Sequence, residues 1–135
     1  LKVTCHRAFD MTRDPFEALE DCIEVGFTRI LTSGRQPQAL AGADLIAQLI
    51  ERAKGRIAIM PGSGVNENTV REIVHKTNCR EIHFSATAFR EGGMQYKNEL
   101  IAGMGSSQGS EYQLRTVDVE RVRKMRELAN HHRFT

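Results

Sequence analysis

One local pattern occurs four times along this 135-residue chain: a short apolar run, a polar or glycine-rich loop, and an amphipathic helical stretch. The apolar runs begin near Val3, Thr28, Arg56 and Glu81. Repeated units of this kind predict parallel strands with helices packed against them. A complete (β/α)8 barrel requires about 200 residues or more. The repeat therefore predicts an α/β fold of the TIM-like (β/α) barrel type, here a half-barrel of about four βα units plus a C-terminal helix.

The spacing of the runs predicts a single domain over residues 1–135. Four strands are expected at residues 3–9, 29–32, 56–60 and 81–85. The repeat then stops, because residues 87–115 are rich in glycine and serine and have weak periodicity. We expect a long loop over 87–115, either an active-site cover or a disordered insertion. A helix is expected to follow over 116–130.

Composition argues against several classes of partner. The formal net charge is only +2, and the sequence has no basic block or aromatic-interleaved patch, so no nucleic-acid partner is predicted. The apolar stretches are too short to span a bilayer, so no membrane partner is predicted. Three scattered cysteines suit neither a disulfide framework nor a zinc finger, which predicts a reducing, cytoplasmic location. The two unpaired edges of a half-barrel predict a homo-oligomer.

Candidate functional residues lie where the predicted strands end, because α/β barrels take their reactive groups from the carboxyl ends of strands and the loops that follow. The first and fourth strands supply the candidate catalytic residues His6, Arg7, Asp10 and His83. The strand ends also supply candidates for anion binding, namely Thr32, Ser33, Gly34, Gly62, Ser63, Gly64 and Ser85.

Strand alternation orients the two histidines. If Ile82 and Phe84 face the helices, then His83 faces the barrel interior, because side chains alternate across a strand. Ser85 would face the same way, and the same alternation places His6 on the interior face of the first strand. For either histidine alone, the favoured interpretation is a hydrogen-bonded interior residue without a functional role. Two together at strand ends favour a functional site.

The loop Gly62-Ser63-Gly64 leads directly into a predicted helix start. Glycines let backbone N–H groups approach an anion, and a helix N-terminus favours negative charge. Phosphate or carboxylate binding is one interpretation of this loop. The other is that a tight turn between a strand and a helix needs glycine in any case.

Three residues are candidates for a metal site, because histidine and cysteine are suitable ligands for copper or zinc. His6 and His83 would bind from the interior face. Cys5 points outward by alternation unless a bulge shifts the strand, and no pair of ligands stands at a diagnostic spacing. The residues alone leave the existence of a dedicated metal site open.

Segments at these strand ends resemble the copper homeostasis protein CutC family. The matching segments are HRAFDM at 6–11, RILTSG at 29–34, MPGSG at 60–64 and EIHFSA at 81–86. The resemblance implies a TIM-like barrel of which this chain is the second half, strands five to eight. It also implies a role in copper homeostasis, with copper as a possible cofactor.

The sequence departs from the family pattern at two positions. Family members usually carry glycine where Ser63 stands, and several carry cysteine where Phe84 stands. The cysteines most often suggested as copper ligands in this family belong to the first half of the barrel. The resemblance therefore implies that those thiols lie outside this chain.

Two functional hypotheses follow, with a copper ion or a small anion as the ligand. By resemblance, the protein binds or traffics copper ions. The alternative is a TIM-barrel enzyme that acts on a small phosphorylated or carboxylated metabolite. In that enzyme His6 or His83 would be the general acid or base, and Arg7 and the Gly62–Gly64 loop would hold the anion.

Overall fold

The computed structural model describes residues 1–98, 100 and 112–130. Its parallel sheet has the strand order β1-β2-β3, with β1 at Thr4–Cys5, β2 at Arg29–Thr32 and β3 at Ala58–Pro61. The helices are α1 (Pro15–Glu24), α2 (Ala43–Ala53), α3 (Val70–Thr77) and α4 (Val119–Asn130). None of these described helices has the length and apolarity needed to cross a membrane. The predicted α/β class with parallel strands is confirmed.

The hydrophobic core joins the parallel sheet to the helices that cover it. Ile30 of β2 and Ile59 of β3 are buried in one cluster with Ile46 and Leu49 of α2 and Ile73 of α3. The helical members of this cluster come from the apolar faces that the sequence pattern predicts. Because strands and helices share this core, the carboxyl ends of the strands hold fixed positions relative to one another.

The first strand is shorter than predicted. A strand over residues 3–9 is wrong beyond Cys5, because Arg7–Met11 form a short 3-10 helix. The His6 imidazole caps this helix by accepting a hydrogen bond from the Ala8 N–H at 3.0 Å. The turn takes the chain out of the sheet at the point where the candidate site begins.

Residues 81–85 do not form the fourth strand that the pattern predicts. A backbone hydrogen bond from the His83 N–H to the Pro61 carbonyl, at 2.9 Å, places the segment beside the end of β3. One bond is too few for a strand ladder. The side chains nevertheless alternate as predicted, because Ile82 and Phe84 pack against the core while His83 is exposed.

The predicted loop over 87–115 is wrong at both of its ends. There β4 (Thr87–Glu91) and β5 (Gln113–Val117) pair as an antiparallel two-stranded sheet. Threonine, valine and phenylalanine within these segments favour strands, a signal that the glycines between them obscured. Residues 99 and 101–111 lie outside the described residues. The choice between an active-site cover and a disordered insertion therefore stays a prediction for that part of the segment.

Helix α4 is anchored to the loop that precedes α3. Its cap is Asp118, whose carboxylate accepts hydrogen bonds from two N–H groups of the first turn at 2.9 and 3.2 Å. Arg121 then donates twice to the Glu67 carboxylate, at 2.6 and 2.9 Å, and once to the Thr87 carbonyl at 2.5 Å. The hydrogen bonds from Arg121 lower the pKa of Glu67 from its ordinary 4.5 to about 2.

This ion pair makes stability depend on acid. Because the pKa of Glu67 is lowered on folding, its stabilisation is present above about pH 4.5 and is lost as the pH falls toward about 2. We expect Glu67→Gln to flatten the fall in unfolding free energy between about pH 7 and pH 3, measured by urea denaturation. Glu24→Gln, on an exposed position of α1, is the charge-matched control. Equal pH dependence in both variants would contradict the role of the Glu67–Arg121 pair.

Candidate functional site at the carboxyl edge of the sheet

The carboxylate of Asp10 is the centre of the polar residues at the carboxyl edge of the parallel sheet. It lies in the 3-10 helix after β1, and its side chain is only 6% exposed. It accepts hydrogen bonds from Arg7 Nε (2.8 Å), Thr32 Oγ1 (2.5 Å), Ser33 N (3.1 Å), Ser33 Oγ (3.0 Å) and Arg35 N (3.2 Å). Asp10 therefore ties the end of β1 to the loop after β2.

These hydrogen bonds keep Asp10 negatively charged. Burial works to raise the pKa of its carboxyl, but a threonine hydroxyl, an arginine and two backbone N–H groups together bring that pKa below its ordinary value. A carboxylate that is already engaged by several donors is a poor proton acceptor. Catalysis by Asp10 stays a prediction. What the geometry shows is that the hydrogen bond from Arg7 Nε to Asp10 orients the Arg7 guanidinium.

The predicted anion-binding residues of the second strand end surround this internal carboxylate. Thr32 and Ser33 are fully buried. The Thr32 hydroxyl and the Ser33 N–H donate to Asp10, and the Ser33 hydroxyl has two acceptors within reach, Asp10 at 3.0 Å and the Gln36 carbonyl at 2.5 Å. Thr32 Oγ1 also accepts a hydrogen bond from the Gly34 N–H at 2.9 Å. The donors at Thr32 and Ser33 are therefore committed to an anion of the protein itself.

Arg7 presents one free edge of its guanidinium. Its Nε donates to Asp10, and its Nη2 donates to Ser33 Oγ at 2.7 Å and to the Gln36 carbonyl at 3.4 Å. The described residues offer no acceptor to Nη1, and the side chain is 42% exposed. Arg7 is thus a fixed cation with two outward-facing N–H donors.

The imidazole of His6 has a defined tautomer. Because its Nδ1 accepts the hydrogen bond from the Ala8 N–H, the proton of the neutral ring lies on Nε2. A metal bound at Nε2 would require that proton on Nδ1 instead, and the bond to Ala8 would be lost. The geometry favours His6 as a hydrogen-bond donor over His6 as a metal ligand through Nε2.

The loop after β3 is held against the loop after β2. The Gly62 N–H donates to the Thr32 carbonyl at 3.0 Å. Ser63 has a φ of +81°, a left-handed conformation that favours glycine. Its hydroxyl donates to the Pro37 carbonyl at 2.7 Å, and its carbonyl accepts from the Ala39 N–H at 2.9 Å. These two bonds hold serine in a strained backbone region.

The remaining candidates lie beside this loop. A Cβ added to Gly62 would come within 3.3 Å of the His83 side chain and 2.5 Å of a Leu31 methyl, so a larger residue here would displace Leu31 and press on His83. Ser85 is exposed. Within the described residues, no side-chain hydrogen bond joins His83 or Ser85 to the Arg7–Asp10 network, and their functional roles stay predictions.

The candidate metal ligands are not gathered into a cluster. No group of three or more His, Cys, Asp or Glu side chains within the described residues is arranged to hold a metal ion. Cys5 does have a sulfur neighbour, Cys22 of α1. Burial, and next the adjacent Cys5, raise the pKa of the Cys22 thiol to about 12. The sequence carried a signal for this pair, because alternation places Cys5 on the helix-facing side of β1 and Cys22 lies on the apolar face of α1 that packs against the sheet.

The capping role of His6 is testable with two substitutions. His6→Ala removes the acceptor for the Ala8 N–H and should lower the free energy of unfolding by about 1 kcal/mol. His6→Asn retains a side-chain acceptor near that position and should lose less, because asparagine is a good cap. Urea denaturation of the two variants provides the comparison. Equal losses in both would contradict the cap.

Comparison with known proteins shows extended similarity to one family. The chain is 50% identical over 123 residues to a CutC family protein of Parabacteroides distasonis. The aligned region covers 91% of this chain and 51% of the relative. It is 45% identical over 129 residues to the copper homeostasis protein cutC homologs of Mus musculus and Homo sapiens, covering 96% of the chain and 47% of each relative. The chain therefore spans about half the length of these curated relatives.

A solved structure agrees with this similarity. The crystal structure of the putative copper homeostasis protein CutC from Streptococcus agalactiae superposes with a TM-score of 0.58 at 31% identity, covering 62% of this chain and 41% of that one. The family model described as the CutC family matches residues 1–88, which include the parallel strands and the Asp10 network. The chain belongs to the CutC family.

Proposed function

We propose that this chain is part of a copper homeostasis protein. The observation that carries the proposal is the 45% identity, over 96% of the chain, with mammalian proteins named copper homeostasis protein cutC homolog. None of the relatives described above has a name that states an enzymatic activity. The enzyme alternative therefore lacks support from them, and acid–base roles for His6 and His83 stay predictions.

We further propose that the chain folds as half of a TIM-like barrel. In support, Arg29 of β2 forms an ion pair with Glu81, which follows β3 in the chain, and the register partner of Arg29 on β3 is the small residue Ala58. Barrel interiors are filled by layers of side chains from alternate strands, and this pair has that arrangement. Arg29 also donates to Thr4 Oγ1 of β1 at 3.3 Å. The layer would be completed by further strands on the open side.

Copper binding by this chain would use sulfur. Cu(I) prefers thiolate ligands, and Cys5 and Cys22 are neighbouring thiols at the boundary between β1 and α1. Neither Cys5 nor Cys22 is in a disulfide, so both thiols are available as ligands. Because a thiol must lose its proton to bind the metal, the raised pKa of Cys22 implies that Cu(I) affinity increases with pH.

A Cu(I) titration against a competing chromophoric chelator, in oxygen-free buffer, tests copper binding. We expect the chain to bind Cu(I), more tightly at higher pH, and Cys5→Ser to weaken that binding. Cys79→Ser, in the turn between α3 and the following segment, is the matched control and should bind as the wild type does. Absence of Cu(I) binding by the wild-type chain would contradict a copper site here, and equal effects of both variants would contradict the Cys5 assignment.

Self-association is the remaining part of the proposal. Within the described residues, no further strand pairs with the outer edge of β1, and only the segment at 81–85 lies beside β3, so the parallel sheet offers edges that further strands can cover. We expect light scattering on the purified chain to give a mass above the 15.2 kDa of one copy, increasing with concentration. A single species of 15.2 kDa at all concentrations would contradict it.

A further inference from the structure

Three successive backbone donors in the loop after β3 lack a hydrogen-bond partner in the described part of the chain. Within the described residues, the N–H groups of Ser63, Gly64 and Val65 have no hydrogen-bond acceptor. Ser63 and Gly64 have positive φ angles of 81° and 67°, whereas their neighbours Gly62 and Val65 do not, so the backbone changes hand on both sides of the pair. Successive N–H groups in such a turn form a concave nest that favours anions.

Contacts with the loop after β2 restrict the conformation of this loop. The Ser63 hydroxyl and carbonyl are both bonded to the loop after β2, at Pro37 and Ala39. A Cβ at Gly64 would come within 2.8 Å of the Gln38 side chain, so the backbone approaches this loop closely. Contacts with the loop after β2 therefore hold the backbone at Ser63 and Gly64 in place.

Arg7 borders the same stretch of chain. Its Nη2 donates to the Gln36 carbonyl, and the next carbonyl along, that of Pro37, accepts from Ser63. Arg7 and Ser63 therefore contact consecutive residues of the loop after β2. The nearby carboxylates have partners of their own, since Asp10 is engaged by five hydrogen bonds and Glu67 is paired with Arg121.

We propose that Arg7 Nη1 and the N–H groups of Ser63, Gly64 and Val65 bind a phosphate group. A tetrahedral phosphate offers several acceptor oxygens, which suits donors that arrive from two loops, and the guanidinium supplies the opposing charge. Asp10 acts as the positioning residue that holds Arg7. This site uses nitrogen donors at the edge of the sheet, so it is independent of the copper proposal and of the Cys5–Cys22 pair.

Inorganic phosphate is the probe. Isothermal titration calorimetry of the full 135-residue chain, at ionic strength held constant with sodium chloride, should show saturable binding. Arg7→Gln should weaken that binding about tenfold or more, because a hydrogen bond to a charged group is lost. Arg52→Gln makes the same change of charge in the last turn of α2, and should leave phosphate binding unchanged. Circular dichroism verifies that both variants are folded.

Hydrogen exchange supplies a measurement on the wild-type chain. Phosphate should slow exchange in the peptide that contains residues 63–65, and an unrelated peptide from α1 should exchange as before. Saturable binding that Arg7→Gln weakens, together with this local protection, supports the site. Phosphate binding that is absent, that Arg52→Gln reduces equally, or that leaves residues 63–65 unprotected would overturn it.

Discussion

The arrangement of the carboxyl edge depends on one buried carboxylate that accepts hydrogen bonds from two segments of the chain, the turn after β1 and the end of β2 with its loop. Asp10 draws in the side chain of Arg7, the hydroxyls of Thr32 and Ser33, and backbone N–H groups of the loop after β2. Leaving a buried donor without an acceptor costs about 1–3 kcal/mol per group. The loops after β1 and β2 are therefore held together by the charge of Asp10, and Arg7 takes its direction from it.

Two kinds of chemistry are separated by the sheet. On the helix side, Cys5 and Cys22 offer soft sulfur in a largely apolar setting, which suits a soft cation such as Cu(I). At the carboxyl edge, Arg7 and the loop containing Ser63 present nitrogen donors, which suit a hard oxyanion. The tautomer of His6 belongs with the second group, because its exposed ring nitrogen is a donor.

Much of the fold and part of the site could be predicted from periodicity. The βα repeat, the alternation of Ile82 and His83, and the position of Arg7 at a strand end all follow from side-chain spacing, and the structure agrees with them. The hairpin formed by β4 and β5 was missed, because its strands pair across a long glycine-rich segment. Pairing between distant segments leaves no local trace in a single sequence.

The sequence by itself determined the α/β class, the residues that reach the carboxyl edge and the faces on which they lie, because helix and strand periods are local properties of the chain. Only the tertiary structure decided what those residues do to one another. In the structure, the end of β2 supplies hydrogen-bond donors to Asp10. Arg7 keeps Nη1 without an acceptor among the described residues, and Cys5 lies beside Cys22. These outcomes depend on contacts between residues that are distant in the chain, and burial and hydrogen bonding set such contacts only once the helices have packed on the sheet.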